Sequence, residues 1–379
     1  MRVWGGHRLS GTVEISGGKN AASAILLAAS MSSEKCVVEN LPLIDDVEVI
    51  AGLLRSIGAR VEQSGRSMMI DPTTIDRAEP DLLLCSKMRA SYYLLGSLIG
   101  RFGHSVVGLP GGCDIGERPI DQHIKGFEAM GASISYVGNT IVGSAANGVV
   151  GNEIYLDMPS VGATINIMLG AVLASGNTEI IGAAKEPHIV DLANFLNAMG
   201  ASVKGAGTDV IRIRGVKKLG GCTYTIIPDQ IETGTIMIAA AATGGDVTIK
   251  GAIPTHMEAL SAKLLEMGVR VDEGVQEDLI RVRAGGTIRK INLQTQGYPG
   301  FPTDLQQPMT ALLSVARGTS IVTETIYESR FKHLDEIRKM GGISSVRPSG
   351  RGQRASITGV DHLVGCPVSA TDLRAGAAL

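Results

Sequence analysis

Cys113 and Arg118 are the residues with the most evident chemical potential, because both lie in one glycine-rich stretch, PGGCDIGERP at 110–119. A thiol can act as a nucleophile or an acid, and a guanidinium holds phosphate and carboxylate groups. The glycines allow the backbone of such a loop to approach a ligand closely. The alternative is a surface turn that holds an inert cysteine, and composition alone favours that alternative.

The segment after this loop predicts a helix that would position it. Apolar residues recur at helical spacing over 119–130, and Pro119 suits the first turn. These apolar residues are Ile120, Ile124, Phe127 and Met130. A helix start presents backbone N–H groups that favour an anion. The loop and helix together are therefore typical of an anion-binding site beside a reactive thiol.

The composition narrows the class of protein. The chain has 379 residues, enough for two domains with separate cores. Its 35 basic and 37 acidic residues nearly balance, so nothing electrostatic favours nucleic acid or an anionic membrane as a partner. Aromatic residues make up only 3% of the chain, which argues against platforms for stacking bases. No signal peptide is evident, and no apolar run reaches the ~18 residues of a membrane span.

The cysteines and histidines indicate neither a disulfide framework nor a metal site. Five cysteines, at positions 36, 85, 113, 222 and 366, are scattered and odd in number. This pattern predicts reduced thiols in a cytoplasmic protein. The seven histidines are dispersed and form no metal-binding motif with cysteine, so we expect no structural metal.

An internal repeat is the strongest indication of the architecture. A helix-like segment followed by glycine recurs as SIGARV, AMGASI, AMGASV, EMGVRV and KMGGIS. The glycines are Gly58, Gly131, Gly200, Gly268 and Gly341, at steps of 73, 69, 68 and 73 residues. A glycine directly after an amphipathic helix is typical of the C′ position that ends it. A pair of strands follows, as at 60–62 and 68–70 around a turn at Gly65.

A small-residue helix and a strand precede these motifs, as at 21–29 and 37–39. The sequence therefore predicts an α/β protein of repeated βαβαββ units, each about 70 residues long, stacked around shared cores. The segment TDLRAGAAL at 371–379 resembles the openings of the second and fifth units. We expect it to begin a sixth unit that stays incomplete, and exposed edges of that unit would make the chain poorly stable.

Motifs in a fixed order along the whole chain carry a resemblance to a known family. They are GGKNAAS at 17–23, KMRASYYLLG at 87–96, LPGGCDIGERPIDQHIKG at 109–126, PSVGAT at 159–164, EPHIVDLANFL at 186–196, PDQIETGT at 228–235, FPTDLQ at 301–306, TETIYESRFKH at 323–333 and TDLRA at 371–375. Together they resemble the UDP-N-acetylglucosamine 1-carboxyvinyltransferases, which are bacterial enolpyruvyl transferases.

The resemblance implies two inverted α/β barrel domains of three units each, which close on substrates between them. The chain would cross between the domains near 18–20 and 228–230. The first domain would then be 1–18 plus 230–379, and the second would be 19–229, carrying the Cys113 loop.

The resemblance also implies the reaction, which transfers enolpyruvate from phosphoenolpyruvate to the 3-hydroxyl of UDP-N-acetylglucosamine and releases phosphate. By this resemblance Cys113 donates the proton to the enol carbon and can also add covalently to the substrate. Lys19 and Arg118 would hold the two anionic groups of phosphoenolpyruvate. Asp304 would contact the sugar hydroxyl as a base or positioning group. Without the resemblance, an N-cap for the following helix is the favoured role for Asp304.

The resemblance further implies the binding residues for two small-molecule substrates, with no metal or organic cofactor. The residues expected to contact substrate are Lys19, Asn20, Arg89, Arg118, Pro119, Ile120, Asp121, Gln122, Ser160, Val161, Gly162, Asp304 and Ile326. Without the resemblance, a position in the hydrophobic core is the favoured interpretation for Ile326. Further family positions in or near the cleft, where structural pairing is common, are Glu186, Asp229, Glu232, Glu328, Arg330 and Arg374. The chain departs from the family in having Gln230 where an arginine is usual, and in lacking a later segment with a further arginine.

Three hypotheses remain open. The first is an active enolpyruvyl transferase of the bacterial cytoplasm that starts peptidoglycan precursor synthesis. The second is a non-catalytic sugar-nucleotide-binding paralogue or an inactive truncated product. The third is another member of the same fold, such as the shikimate-pathway enolpyruvyl transferase or an RNA-end cyclase. The cysteine loop and the PSVGAT segment argue against the third hypothesis.

Overall fold

The structure of the chain is a computed structural model that describes residues 2–112, 115–274, 278–350 and 352–379. The α-helices are α1 (Lys19–Ala28), α2 (Asp45–Ser56), α3 (Leu82–Cys85), α4 (Tyr93–Phe102), α5 (Asp121–Ala129), α6 (Val161–Ala171), α7 (Pro187–Ala198), α8 (Gln230–Ala242), α9 (Glu258–Glu266), α10 (Gln306–Leu313), α11 (His333–Lys339) and α12 (Leu373–Ala378). Short 3-10 helices cover Ala29–Met31, Pro72–Thr74, Arg89–Tyr92, Pro254–His256 and Thr303–Leu305.

The strands alternate with these helices. They are β1 (Ser10–Glu14), β2 (Cys36–Glu39), β3 (Arg60–Ser64), β4 (Ser67–Asp71), β5 (His104–Gly108), β6 (Ser133–Val137), β7 (Thr140–Ser144), β8 (Glu153–Tyr155), β9 (Asn177–Ile181), β10 (Ser202–Lys204), β11 (Val210–Arg214), β12 (Thr223–Thr225), β13 (Asp246–Lys250), β14 (Arg270–Glu273), β15 (Leu279–Arg283), β16 (Asn292–Gln294), β17 (Thr319–Glu324), β18 (Ile343–Ser349) and β19 (Gly352–Thr358).

The chain divides into two compact units, each with its own hydrophobic core. The central unit contains 17–112 and 119–227. The terminal unit contains, within the described ranges, the residues up to Ser16, 115–118, and the chain from Pro228 onward. The chain therefore passes between the units after Ser16, on either side of the segment 115–118, and again after Ile227. The domain limits expected at 18 and 230 remain a prediction.

The helices and strands follow the predicted repeat. The order α-β-α-β-β begins at α1, α4, α6, α8 and α10, and the repeat around α6 shows the complete βαβαββ order from β8 to β11. Its sheet has the strand order β10-β11-β9-β8, in which only β8 and β9 run parallel. The sheets β12-β2-β4-β3, β1-β13-β15-β14 and β16-β17-β19-β18 repeat this pattern, whereas β5-β7-β6 is antiparallel throughout.

In two sheets the parallel edge strand comes from a distant part of the sequence. Strand β1 pairs with β13, with Ser10 opposite Asp246. Strand β12 pairs with β2, with Thr223 opposite Val37. Each of these edge strands completes a sheet of the unit that the chain then leaves.

The predicted glycine stops are confirmed. All five glycines have positive φ, between 83° and 104°, which a side chain with a Cβ rarely adopts. In every case the N–H of the next residue donates to the carbonyl oxygen four positions before the glycine, the 6→1 bond of a Schellman motif. The pairs are Ala59 to Leu54, Ala132 to Phe127, Ala201 to Leu196, Val269 to Leu264 and Gly342 to Ile337. These helices are α2, α5, α7, α9 and α11, and each is followed by its strand pair.

The helices α4 and α6 pack closely in the core of the central unit because glycine lies at their contact. A Cβ at Gly96 would overlap the main-chain carbonyl oxygen of Asn166. Helix α5 begins at Asp121, so the prediction that Pro119 lies in its first turn is wrong. The reason is local, because Ile120 has φ −111° and ψ 20° and the helix starts only after it.

The segment 371–379 forms the helix α12, as expected for the opening of a further repeat. The carboxylate of Asp372 accepts hydrogen bonds from the backbone N–H groups of Arg374 and Ala375, at 3.0 and 3.1 Å. These two bonds satisfy N–H groups that lack partners at a helix start. The helix packs on α10.

Among the described residues, none of the helices combines the length and the apolar character that crossing a bilayer requires. In the same part of the chain, His, Cys, Asp and Glu side chains do not gather in any group of three or more that could hold a metal ion.

Candidate active site

The candidate residues of the central unit lie at the N-terminal ends of helices. Lys19 begins α1, and Arg89 begins the 3-10 helix before α4. Asp121 begins α5, and Ser160 is the N-cap of α6, accepting a hydrogen bond from Ala163 N at 3.3 Å. Glu186 is the N-cap residue of α7. Helix N-termini favour anions, so this placement suits residues that would bind phosphate groups.

The side chain of Lys19 is held by an acid that the sequence analysis did not single out. Its Nζ lies 2.7 Å from Oδ2 of Asp46, and both side chains are about one quarter to one third exposed. Asp46 lies in the first turn of α2, where acidic residues are common for purely local reasons. The ion pair restricts the ammonium group to one direction and keeps it partly accessible.

The side chain of Gln122 joins two of the candidate segments. Its Nε2 donates to Asp121 at 2.9 Å and to Asp157 at 3.1 Å, and its Oε1 accepts from Asp157 N at 2.9 Å. Gln122 is buried, and Asp157 precedes the N-cap of α6. The Gln122 side chain thus fixes the start of α5 against the segment that leads to α6.

A buried cluster of Tyr92, His123 and Asn166 lies behind these helix starts. Oδ1 of Asn166 accepts from Gly96 N at 2.9 Å, so its Nδ2 points to Nδ1 of His123, also at 2.9 Å. An amide NH₂ only donates, so Nδ1 of His123 accepts and the proton is on Nε2. Burial, with the charge of Arg89, lowers the pKa of His123 to about 3, so the ring is neutral. The Tyr92 ring meets His123 edge to face and lies beneath the Arg89 guanidinium, 4.9 Å from its centroid.

Gly162 lies directly against this cluster. A Cβ there would overlap the Tyr92 hydroxyl and would lie 2.9 Å from the His123 ring. Position 162 therefore requires glycine for reasons of space. The cluster fixes the first turn of α6 relative to the start of α5, and its members were not recognised in the sequence. The sequence contained part of the information needed to find this cluster, because His123 and Tyr92 both lie inside motifs that carry the family resemblance.

In the terminal unit, Asp304 lies between two arginines. Arg330 Nη2 donates to Oδ1 at 2.7 Å, and Arg374 donates to Oδ2 through Nη2 at 3.0 Å and Nε at 3.3 Å. Asp304 belongs to the 3-10 helix before α10 and makes no capping bond, so the N-cap role favoured by sequence alone is wrong. The two guanidinium groups attract the carboxylate more strongly than the backbone N–H groups do.

The two arginines also set the charge of Asp304. Burial opposes ionisation, but the charges of Arg374 and Arg330 and their hydrogen bonds outweigh it and hold the pKa of Asp304 well below its usual range. Asp304 is therefore a carboxylate at neutral pH. It accepts hydrogen bonds readily but is a weak Brønsted base in this arrangement.

The turn after β17 is built around a buried acid, Glu324. Its carboxylate accepts from Thr295 Oγ1 at 2.9 Å, from Thr303 Oγ1 at 3.0 Å and from Ile326 N at 2.8 Å. These bonds leave the Ile326 side chain 41% exposed, so the core position favoured by sequence alone is wrong. The exposed side chain fits the expected role of Ile326 in lining a pocket.

The described part of the cysteine loop packs on this turn. Ile115 O accepts from Ser329 N at 3.2 Å, and the Arg118 guanidinium lies 5.8 Å from the centroid of the Tyr327 ring. A Cβ at Gly116 would overlap the carboxylate of Glu328, so glycine permits this approach. Cys113 and Asp114 lie outside the described residues. The structure therefore brings Arg118, Ile326, Glu328, Arg330, Asp304 and Arg374 into one region of the terminal unit.

Two acids of the candidate set have local structural roles near the second crossing. Asp229 caps α8 by accepting from Ile231 N at 2.7 Å and Glu232 N at 3.1 Å. Glu232 accepts from the backbone N–H and the hydroxyl of Ser16, at 3.1 and 2.6 Å. These bonds join the segments at which the chain enters and leaves the terminal unit.

Comparison with known proteins places the chain in a family. The family model for EPSP synthase (3-phosphoshikimate 1-carboxyvinyltransferase) matches residues 3–379. "UDP-N-acetylglucosamine 1-carboxyvinyltransferase 3" of Caldanaerobacter subterraneus is 54% identical over 377 residues, which are 100% of this chain and 89% of that protein. "UDP-N-acetylglucosamine 1-carboxyvinyltransferase 2" of Bacillus subtilis is 52% identical over 379 residues, 100% of this chain and 87% of that protein.

Solved structures show the same fold at lower identity. The enolpyruvyl transferase NikO from Streptomyces tendae superposes with a TM-score of 0.86 at 24% identity, covering 99% of this chain and 88% of its own. EPSP synthase from Acinetobacter baumannii gives a TM-score of 0.71 at 19% identity, covering 99% and 89%. The fold is therefore that of the enolpyruvyl transferases. By its sequence identity over the full chain, the chain belongs to the family of the UDP-N-acetylglucosamine 1-carboxyvinyltransferases and is a transferase.

Proposed function

We propose that this protein transfers the enolpyruvyl group of phosphoenolpyruvate to the 3-hydroxyl of UDP-N-acetylglucosamine and releases phosphate. The reaction is the first committed step of peptidoglycan precursor synthesis, in the bacterial cytoplasm. The observation that carries the proposal is the 54% identity, over the whole chain, to relatives named for this activity. The two units described above would be the two domains of the enzyme, and its partners are two small molecules.

The chemistry requires addition followed by elimination. The sugar hydroxyl attacks C2 of phosphoenolpyruvate while a proton is delivered to C3, which gives a tetrahedral phospholactoyl adduct. Loss of a proton from C3 and departure of phosphate from C2 restore the double bond in the enol ether product. The protein must therefore hold two anionic groups, place an acid near C3 and orient the hydroxyl.

Cys113 is the proposed acid at C3, and family resemblance supports this role. Its thiol can also add covalently to the same substrate. Lys19, held by Asp46, and Arg118, held over Tyr327, are the proposed cations for phosphoenolpyruvate. Both side chains are positioned by neighbours, which limits the loss of side-chain entropy when an anion binds.

Asp304 is proposed to orient the 3-hydroxyl by accepting its hydrogen bond. Its low pKa keeps it ionised, and the proton of the hydroxyl becomes acidic only as the C–O bond forms. Asp304 would therefore position the hydroxyl first and take its proton late in the attack. Arg330 and Arg374 fix both oxygens of the carboxylate and so determine where the hydroxyl must lie.

The sugar nucleotide is proposed to bind along the helix starts of the central unit. Arg89 and the backbone N–H groups of Val161 and Gly162 would bind the diphosphate. The N-terminal end of α6 would favour its negative charge. The segment Pro119 to Gln122 would contact the uridine, and Asn20 and Ile326 the sugar. Four further acids would help to position these binding residues through structural contacts. They are Glu186, Asp229, Glu232 and Glu328.

Phosphate release with both substrates present tests the proposal. We expect release that depends on phosphoenolpyruvate and UDP-N-acetylglucosamine together and that is absent with either alone. Shikimate 3-phosphate should not replace the sugar nucleotide. Calorimetric binding of UDP-N-acetylglucosamine without any turnover would instead identify a non-catalytic sugar-nucleotide-binding protein and would refute the proposal.

The role of Cys113 has its own test. Cys113→Ala should lower kcat at least roughly 100-fold, because it removes the proposed general acid. Cys113→Asp, which restores an acidic group, should recover part of the rate. A Cys113→Ala variant with the full wild-type rate would refute the assigned role while leaving the overall reaction intact.

A further inference from the structure

Two cysteines outside the candidate active site lie opposite each other on neighbouring strands. In the parallel pair of β12 and β2, Thr223 lies opposite Val37, so the preceding residues, Cys222 and Cys36, are also opposite. The backbone confirms this register, because Val37 N donates to Cys222 O at 2.8 Å. Opposite residues of paired strands point to the same face of the sheet.

We propose that Cys36 and Cys222 form a peroxide-sensitive dithiol that closes to an intrachain disulfide. Neighbouring strands lie about 4.8 Å apart, which falls within the roughly 4.4–6.8 Å between Cα atoms that a disulfide spans. Both residues are free thiols in the structure. The proposal is independent of the transferase activity, since neither residue belongs to the candidate active site.

Each of the two thiols affects the ionisation of the other. The interaction with Cys222 lowers the pKa of the Cys36 thiol, against the opposing effect of burial, and the same interaction raises the pKa of Cys222. Cys36 is therefore the thiol of the pair that ionises more readily, and the thiolate is the reactive form. Cys222 holds the proton and lies beside it as the second sulfur.

The reaction balances with hydrogen peroxide as the oxidant. The Cys36 thiolate attacks one peroxide oxygen, which gives Cys36 sulfenic acid and hydroxide. Cys222 sulfur then attacks the Cys36 sulfur, the S–S bond forms, and the sulfenic oxygen takes the Cys222 proton and leaves as water. The proton that Cys36 released on ionising neutralises the hydroxide from the first step. The two thiols lose two electrons and two protons, and peroxide is reduced to two molecules of water.

Access to the buried sulfur is through the edge of the sheet. Cys36 is fully buried, whereas Cys222 is partly exposed. Strand β12 has three residues and lies at the edge of its sheet, so a small local opening exposes the Cys36 sulfur. The Cys36 sulfur also lies 3.8 Å from the Met199 sulfur, and oxidation of Met199 to its sulfoxide is the competing reaction.

Peptide mapping can distinguish this disulfide from every other oxidation product. Trypsin places the five cysteines in five different peptides, namely 36–55, 78–87, 102–125, 219–250 and 355–374. The full-length protein is treated with hydrogen peroxide, alkylated, digested without reductant and analysed by mass spectrometry. We expect a linked species of peptides 36–55 and 219–250, lighter than their sum by two hydrogen atoms, that separates on reduction.

Matched variants and the unfolded chain complete the test. Cys222→Ser should abolish the linked species, and Cys366→Ser, which removes another partly exposed cysteine, should leave it unchanged. The linkage should form at least tenfold faster in the folded protein than in urea, because the register holds the sulfurs together. Equal rates in the two states would overturn the proposal. So would oxidation that stops at Met199 or at other cysteines without joining Cys36 to Cys222.

Discussion

The carboxylate of Asp304 lies 2.7 Å from Nη2 of Arg330, whose side chain is only 3% exposed. The Arg330 guanidinium is so little exposed to water that its positive charge requires a neighbouring negative charge. Removing Asp304 would leave that positive charge buried and unpaired. Asp304 therefore contributes to the stability of the terminal unit as well as to the proposed chemistry. The two roles are linked, since the same bonds that hold Arg330 also orient the carboxylate.

Replacing Asp304 should destabilise the protein. We expect Asp304→Ala to lower the free energy of unfolding by about 3 kcal/mol, towards the lower end for a broken buried pair because Asp304 keeps 26% exposure. Urea unfolding measures this loss. Asp335→Ala is the control, since Asp335 pairs with Arg338 at the exposed surface of the same unit and such pairs contribute little. Equal effects of the two substitutions would contradict the structural role of Asp304.

Asp191 should make stability fall as the pH rises from about 4 to 6. Burial raises the pKa of this carboxyl to about 6, although hydrogen bonds from Tyr224 and Ile227 N oppose the rise. The unfolded chain has the ordinary value of about 3.9, so the folded state holds the proton more tightly between these values. The contribution of Asp191 to the free energy of unfolding is therefore greatest below pH 4. About 3 kcal/mol of this contribution is lost by pH 7.

The Asp191→Asn variant isolates that effect. The amide does not ionise, so the stability of the variant relative to the wild type should improve steadily between pH 4 and 7. Urea midpoints measured at several pH values give this difference. Parallel pH curves for the two proteins would show that Asp191 titrates normally and would contradict the assignment.

His123 should remain neutral with its proton on Nε2 throughout the working pH range. Nitrogen NMR of the imidazole is expected to show one tautomer from pH 5 to 8, because burial lowers the pKa to about 3 and Asn166 donates to Nδ1. Asn166→Asp places an acceptor opposite that nitrogen and should raise the pKa of His123. A wild-type His123 that titrates near pH 6.5 would contradict the argument.

Gly162→Ala should weaken binding of the sugar nucleotide. The added methyl group overlaps the Tyr92 hydroxyl and presses on the His123 ring, so the first turn of α6 must shift. We expect KM for UDP-N-acetylglucosamine to rise about tenfold, since small displacements of a binding group are costly. Steady-state kinetics with varied UDP-N-acetylglucosamine measure KM and kcat separately.

A second substitution tests the cause. Tyr92→Phe removes the hydroxyl and retains the ring beneath Arg89, so it should recover part of the affinity in the Gly162→Ala background. An unchanged KM in Gly162→Ala, or no recovery in the double variant, would show that the close contact does not govern binding.

The repeated fold was predictable because its signals are local. A helix that ends at a Schellman glycine depends on about six consecutive residues, and the same six-residue pattern occurs at Gly58, Gly131, Gly200, Gly268 and Gly341. The strand exchange at β1 and β12 was not evident from periodicity, because it depends on pairing between residues more than 180 positions apart. The crossings expected near 18–20 and 228–230 rest on the resemblance, because no local pattern in the sequence indicates them.

The candidate site was predictable in its residues but not in their partners. Family motifs indicated Asp304, yet its bond to Arg374 spans 70 positions and overrides the local preference for an N-cap. Ile326 is apolar and would ordinarily be core, but the Glu324 carboxylate holds the turn so that its side chain is exposed. Asp46 resembled an ordinary first-turn acid until the structure placed it beside Lys19.

Mass analysis of the product formed in D₂O tests the central claim most directly. Addition delivers a solvent-derived deuteron to C3, and elimination then removes one of three hydrogens from that carbon. We predict enolpyruvyl UDP-N-acetylglucosamine in amounts equal to the phosphate released, with deuterium in the vinyl methylene group of a large fraction of the product molecules. A product without deuterium, or no product from the two substrates, would contradict the account.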